Sequence, residues 1–317
     1  MKLIIQVPCY NEEKTFGQTF ADFPKKIDGI DEIEYLVIND GSTDSTVEVA
    51  RSLGVHHIVS FKNNKGLAEA FKAGLDACLR LGADIIVNTD ADNQYFGGDI
   101  ETLVAPILAR TADIVIGERP IEEINHFSWL KKRLQRLGSW TVRVASSTDI
   151  PDAPSGFRAY TREAALRLNV VSSYTYTLET IIQAGRMNMA ITSVPIRVNP
   201  ELRKSRLFKS MSGYVRRSVA TIFRVFMMYK PLKTFLSIGI FSIIAALIVV
   251  VRFLTYYFLG SGNGHVQSLI LAAILAFVGT QMIAFGMIAD LISSNRKILE
   301  DIQYRARKSD YHNQSKL

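Results

Sequence analysis

Short β-branched runs recur through the first 120 residues: Leu3 to Val7, Glu34 to Ile38, His57 to Phe61, Asp84 to Asn88 and Asp113 to Gly117. Longer segments of helical character follow them, and the apolar spacing predicts a helix over Leu67 to Leu81, with Ala68, Phe71, Leu75, Cys78 and Leu79 on related faces. Strand and helix alternating in this way predict an α/β fold with a mostly parallel sheet covered on both sides. Past residue 200 the pattern changes. Between Arg206 and Lys230, Leu207, Met211, Tyr214, Val215, Ile222, Phe226 and Tyr229 share one broad face, the signature of an amphipathic helix at a membrane surface. Pro231 separates it from two charge-free apolar runs, Phe235 to Val251 and Val266 to Ala289. Crossing the hydrocarbon takes roughly 20 helical residues, so the first run must continue past Arg252, whose head can snorkel, into an interfacial Tyr256-Tyr257.

Charge sharpens this division. Over the whole chain Lys+Arg number 37 against 30 Asp+Glu. The excess is concentrated on the outer flanks of the apolar pair: ten basic residues and one acid from Arg197 to Lys233, six and three from Arg296 to Lys316. The link from Gly260 to His265 carries no Lys or Arg. By the positive-inside rule this predicts an integral membrane protein with two transmembrane helices, its N-terminal domain and both termini cytoplasmic. The basic residues then face anionic headgroups, and no base-reading motif points to nucleic acid. Two cysteines, Cys9 and Cys78, exclude a disulfide scaffold. HExxH, GxSxG, GxxxxGK[ST] and GxGxxG are all absent, which removes zinc-protease, nucleophile-elbow, P-loop and Rossmann readings.

Candidate chemistry lies just after the strands, where ligands bind in open α/β sheets. The first strand is followed by Pro8-Cys9-Tyr10-Asn11-Glu12-Glu13, the second by Asn39-Asp40-Gly41-Ser42-Thr43-Asp44, the fourth by Thr89-Asp90-Ala91-Asp92-Asn93-Gln94. Caps and turns explain any one cluster; three at one sheet edge are harder to explain so. In an extended segment Asp90 and Asp92 would point the same way, with Gln94 on the same alternation. Such a pair of carboxylates suits Mg²⁺ or Mn²⁺, which takes oxygen ligands and shares them with substrate phosphates.

These stretches, with Asn64-Lys65-Gly66-Leu67-Ala68 and Ser155-Gly156-Phe157-Arg158-Ala159-Tyr160, resemble the family-2 glycosyltransferases of GT-A nucleotide-sugar fold. Within that family they resemble the polyprenyl-phosphate branch, typified by dolichyl-phosphate mannose synthase. The resemblance implies a GT-A catalytic domain over 1–205, an interfacial helix region over 206–231, two transmembrane helices over 232–293 and a basic tail over 294–317. It implies transfer of a sugar from GDP-mannose or a UDP-hexose to a dolichyl or undecaprenyl phosphate, and it leaves a homo-oligomer open. Pro8, Tyr10, Glu12, Asp40, Lys65 and Asp90 would serve the nucleotide sugar, and Asp92 and Gln94, with Asp90, the metal. Arg119, with Arg133 or Arg136, would bind the acceptor phosphate, and Arg203 the donor diphosphate. Three departures stand out. Asn39 replaces a first Asp common among relatives. The QxxRW motif of processive synthases is absent, since Gln183-Ala184-Gly185-Arg186 is followed by Met187. Glu179 lies near where sugar-hydroxyl relatives place a catalytic base, although a helix-surface acid is the plainer reading.

Overall fold

In the computed structural model, residues 1–120, 139–140, 142–143, 146, 148–170, 176–200, 227, 231–259 and 266–314 are described. The first expected strand is β1 (Lys2–Cys9), buried along nearly its whole length. It lies between β2 (Glu32–Asn39) and β4 (Ile85–Asn88), paired parallel to both, with Val7 opposite Val37 and Ile5 opposite Val87. Strands covered on both faces read as continuous apolar runs, which is why these were visible in the sequence. β3 (His57–Ser60) adds outside β2, also parallel.

Beyond β4 the sheet departs from the simple pattern. β6 (Arg158–Thr161) inserts antiparallel between β4 and β5 (Ile114–Glu118), and β7 (Ile191–Pro195) pairs parallel to β5. The seven strands are ordered β3-β2-β1-β4-β6-β5-β7. Six helices accompany the sheet among the described residues of this part: α1 (Phe16–Ala21), α2 (Thr46–Ser52), α3 (Leu67–Arg80), α4 (Ile100–Leu108), α5 (Arg162–Arg167) and α6 (Thr177–Arg186). Helix α3 lies so close to β1 and β2 that a Cβ on Gly74 would sit 2.3 Å from Gln6 Oε1 and 2.9 Å from Ile38 Cδ1. Thr161 caps α5, its Oγ1 accepting from Ala164 N at 3.1 Å.

Two long helices follow, α7 (Pro231–Phe258) and α8 (Val266–Gln314). By contacts the chain divides into one unit of Met1–Ile222 with Glu300–Leu317 and another of Phe223–Leu299. In the second unit α7 and α8 run antiparallel at close range. Gly239 meets Gly279 so tightly that a Cβ on Gly239 would lie 2.8 Å from the Gly279 carbonyl, and Ser242 Oγ donates to Leu275 O at 2.7 Å. Small residues that let helix backbones approach, with a hydroxyl bonded across, are a membrane packing device. The remaining faces are apolar and open: Phe241 is 75% exposed, Ile248 63% and Phe277 64%. A soluble core would bury such residues. Both helices are long and apolar enough to cross a membrane. The expected interfacial helix over 206–231 falls almost wholly outside the described residues.

Candidate active site

Because β1, β2, β4 and β5 all point one way, their carboxyl ends bring four loops to one edge of the sheet. The first two loops are tied to each other by short polar side chains. Asn11 N donates to Ser42 Oγ at 3.0 Å, and Thr43 N donates to Asn11 Oδ1 at 2.8 Å. Glu12 N donates to the buried Thr46 Oγ1 at 2.8 Å, and Ser45 N to Glu13 Oε2 at 3.1 Å. Asn11 takes a left-handed backbone (φ 56), which asparagine tolerates better than most side chains. The Glu12 carboxylate is buried and accepts from Thr15 Oγ1 at 2.7 Å.

Asp40, also buried, accepts from Lys65 N at 2.7 Å through one oxygen and from Gly66 N at 2.9 Å through the other. It thereby holds the entry to α3 against the β2 loop, where the chain passes Gly41 so closely that a Cβ there would lie 2.5 Å from the Asn63 carbonyl carbon. Gly41 itself has φ +70, which a side chain would strain. Tyr10 is exposed at the tip of the first loop, Pro8 is buried within β1, and the exposed Lys65 places Nζ 4.6 Å from the Phe61 ring centroid.

The acidic loop after β4 corrects one expectation. Asp90 to Asn93 form a turn and not an extended run, with Asn93 left-handed (φ 59), so strand alternation does not govern Asp90, Asp92 and Gln94. Asp92 is half-buried, and its Oδ1 accepts from Gln94 N at 3.2 Å. Asp90 turns inward: a Cβ on Gly156 would lie 3.1 Å from both Asp90 Oδ2 and Tyr176 Oη. Tyr176 stacks on Phe71 (centroids 3.8 Å, planes 7° apart), and its Oη accepts from Asn88 Nδ2 at 2.9 Å. Tyr95 Oη accepts from Gly156 N at 3.0 Å, and burial pushes this phenol up to about 12. Among the described residues no three His, Cys, Asp or Glu side chains gather as a closed metal site. An open site fits these residues: one or two carboxylates and a neutral oxygen, the remaining positions going to substrate phosphate and water, is how Mg²⁺ is usually held.

Arg119 lies directly behind this loop, one residue past β5. Its Nε and Nη2 donate to the two oxygens of Asp152 at 2.7 and 2.9 Å, and the Asp152 side chain is 1% exposed. Burial works against the Arg119 cation, but Tyr95, Asp152 and Asp90 outweigh it and hold the guanidinium above its ordinary value. A bidentate buried pair is geometrically rigid, and neither partner is cheaply removed. Arg133, Arg136 and Arg203, the other cations expected here, lie outside the described residues.

The family profile of "Glycosyl transferase family 2" matches residues 4–168, the stretch that builds the sheet and its loops through β6 and α5. The chain belongs to this family. An undecaprenyl-phosphate mannosyltransferase of Micrococcus luteus is 27% identical over 71% of this chain and 93% of its own length. A UDP-N-acetylglucosamine--dolichyl-phosphate N-acetylglucosaminyltransferase of Methanococcus voltae is 29% identical over 66% and 90%. Among solved structures, glucosyl-3-phosphoglycerate synthase from Mycobacterium tuberculosis, in complex with Mn²⁺, UDP and glucosyl-3-phosphoglycerate, superposes with a TM-score of 0.55 at 20% identity. That superposition covers 71% of this chain and 78% of the synthase, and it shows the GT-A fold.

In this glycosyltransferase, then, the expected Pro8, Tyr10, Glu12, Asp40, Lys65, Asp90, Asp92, Gln94 and Arg119 all stand on or beside the loops of one sheet edge. Glu179 is a second correction. It is 5% exposed on the inner face of α6, where Gln183 Nε2 donates to it at 3.4 Å, and it is not a surface acid. Several residues that shape the site escaped the sequence reading. Asp152, Tyr95 and Tyr176 had no motif to mark them. Arg158 stood inside a quoted motif, but nothing in the sequence said that its guanidinium would be fully buried.

Proposed function

We propose that this enzyme transfers a hexosyl group, with inversion, from a nucleotide-diphosphate sugar to the phosphate of a membrane polyprenyl phosphate. The observation that carries the proposal is a family-2 catalytic unit in one chain with two helices long and apolar enough to cross a membrane. An acceptor confined to the bilayer accounts for that pairing, and relatives aligned over most of their lengths bear names of lipid-phosphate glycosyltransferases. Those names differ in sugar and in lipid, so the donor is left as GDP-mannose or a UDP-hexose, and the acceptor as dolichyl or undecaprenyl phosphate. Catalysis at the cytoplasmic face, where the basic flanks of the hairpin meet anionic headgroups, is part of the same proposal.

The reaction forms a bond between a phosphate oxygen of the acceptor and the anomeric carbon while the bond to the donor diphosphate breaks. A phosphate monoester with its second pKa near about 6 is already largely ionised at neutral pH, so the attacking group needs no general base. The work left to the protein is to hold two anions close together. Tyr10 and the Asp40-braced loop would cradle the nucleotide. Mg²⁺ or Mn²⁺, held by Asp92 and Gln94 with Asp90, would neutralise charge on the departing diphosphate. Arg119, fixed by Asp152, would present a rigid cation toward the acceptor phosphate, with Arg133 or Arg136 and Arg203 adding positive charge.

The test is a panel of GDP- and UDP-sugars incubated with the full chain in membranes and with dolichyl or undecaprenyl phosphate, followed by mass analysis of the lipid. One glycosylated lipid phosphate is expected; blanks across the panel, with product on a sugar hydroxyl instead, would overturn the proposal. In the productive pairing, EDTA should abolish turnover and Mn²⁺ or Mg²⁺ restore it. Asp92→Ala, at a half-exposed turn, should lower kcat by about 10²-fold or more while thermal unfolding is unchanged. Full turnover in chelator would remove the metal assignment.

A further inference from the structure

The turn that carries Asp92 and Gln94 is clasped from outside by the chain leaving β7. Phe96 N donates to Arg197 O at 3.3 Å, Tyr95 and Val198 form an antiparallel bridge, and Asn199 N donates to Gln94 O at 2.9 Å. Asn199 grips the turn a second time: its Nδ2 donates to Oδ1 of Asn93, the left-handed residue, at 3.2 Å. Arg197 fastens the other end of this short ladder. Its main-chain N and its Nε donate to Asp99 at 2.6 and 2.9 Å, its Nη2 donates there too, and its guanidinium lies 4.1 Å from the Phe96 ring centroid. Asp99 is 4% exposed while the Arg197 side chain is 69% exposed, so the anchor joins a buried carboxylate to a solvated guanidinium.

The hydrogen bonds make a chain of command. Asp99 fixes Arg197, the ladder fixes the register of Asn199 against Gln94, and the Asn199 amide fixes Asn93. Asn93 sits between Asp92 and Gln94, whose own N–H donates to Asp92 Oδ1. A left-handed residue without a glycine's freedom needs such support, because competing backbone wells are open to it.

We propose that Asn199, anchored by the Arg197–Asp99 pair, is a positioning residue: it sets the shape of the Asp92–Gln94 turn for a divalent cation bound with a nucleoside diphosphate, without touching either. The inference rests on reading this edge as the donor site, and it adds a residue that no family motif marked. Removing the Asn199 side chain leaves its backbone bond to Gln94 O, so the local ladder persists and the loss falls on the geometry of the turn.

The experiment uses the full chain in detergent, with MnCl₂ plus UDP and MnCl₂ plus GDP as probes, read by isothermal titration calorimetry. Asn199→Ala should weaken the Mn²⁺-dependent binding of whichever nucleotide the wild type prefers by about three- to tenfold. Nucleotide binding in EDTA, and the ligand-free melting temperature, should match wild type. Asp99→Asn, which keeps shape but removes the charge that anchors Arg197, should move the same quantity in the same direction. Equal Mn²⁺-dependent affinity in Asn199→Ala overturns the inference, and so does an equal loss in EDTA, which would report a general distortion. Should Asn199→Ala fail to fold, Asn199→Ser is judged by the same two readouts. Wild type that binds neither nucleotide with Mn²⁺ removes the donor-site reading, and this inference with it. Wild type that binds, beside an Asn199→Ala that binds equally, removes the inference alone.

Discussion

On the β1–β2 side of the sheet, loops are knit together by Asn, Ser, Thr, Asp and Glu side chains bonded to backbone N–H groups across the two strands. On the β5–β6 side, two arginines do the holding, Arg119 with a side chain 9% exposed and Arg158 fully buried. Arg119 locks onto Asp152, and Arg158 donates to the carbonyls of Ala153, Ser155 and Thr177 and to Thr180 Oγ1, all within 2.7 to 2.8 Å. Many small, half-exposed bonds are individually weak and replaceable by water; one guanidinium with four buried acceptors is not. In the proposed reaction the first arrangement would face the nucleotide. The second would be the wall that keeps a fixed charge beside the acceptor phosphate.

The sharpest way to break this contrast is Asp152→Ala. It leaves the Arg119 cation buried without its carboxylate, and a loss of roughly 3–5 kcal/mol is expected, seen as a large fall in melting temperature of the full chain. Arg119→Met combined with Asp152→Ala should recover most of that loss, because the pair is then removed together. Additive losses in the double variant would mean that the two are not coupled, and the contrast would fail. Next in size is Arg158→Met, which takes the guanidinium from the buried carbonyls of Ala153 and Ser155 and leaves Thr177 O to its bond from Thr180 Oγ1. About 3 kcal/mol is expected from thermal or urea unfolding, and a loss near that of a surface substitution would show that water reaches this wall after all.

The same contrast explains what the sequence could reveal. β1, β2, β4 and β5 were visible because residues such as Leu3, Ile5, Val37, Ile86 and Val115 form apolar runs, the edge strand β3 through its β-branched Ile58-Val59 pair, and α3 ends within a residue of its expected bound. β6 has the sequence RAYT, and its first residue is a buried arginine that hydropathy reads as exposed; β7 is an edge strand ending in Pro195. Neither carries the period of a buried parallel strand. The site followed the same rule. Short-range motifs put Asp40, Asp90, Asp92 and Arg119 at one sheet edge, but the left-handed backbone of Asn93 and the pairing of Arg119 with Asp152, 33 residues away, depend on contacts that spacing does not encode. The hairpin needed no such contacts, since its apolar length alone distinguishes it.

The smallest expected effect lies on the β1–β2 side and has a pH signature. Thr46 Oγ1 is buried, accepts from Glu12 N at 2.8 Å and donates to Asp44 Oδ1 at 2.5 Å. Burial by itself would raise the Asp44 carboxyl, but hydrogen bonds from the Thr46 side chain and from the Glu13 and Thr46 amides outweigh it and lower it below the ordinary 3.8. A carboxyl lowered by folding stabilises the protein above its unfolded value, and that contribution is lost as pH falls through the folded value. Thr46→Val keeps the shape and removes one of the bonds that do the lowering, together with the acceptor for Glu12 N. At pH 7 it should cost about 1 kcal/mol, well short of either arginine-wall variant. Below the folded Asp44 value the carboxyl is protonated in both proteins, so the gap between them should narrow as urea unfolding is repeated at successively lower pH. A gap that stayed constant or widened on acidification would mean that Asp44 draws nothing from Thr46.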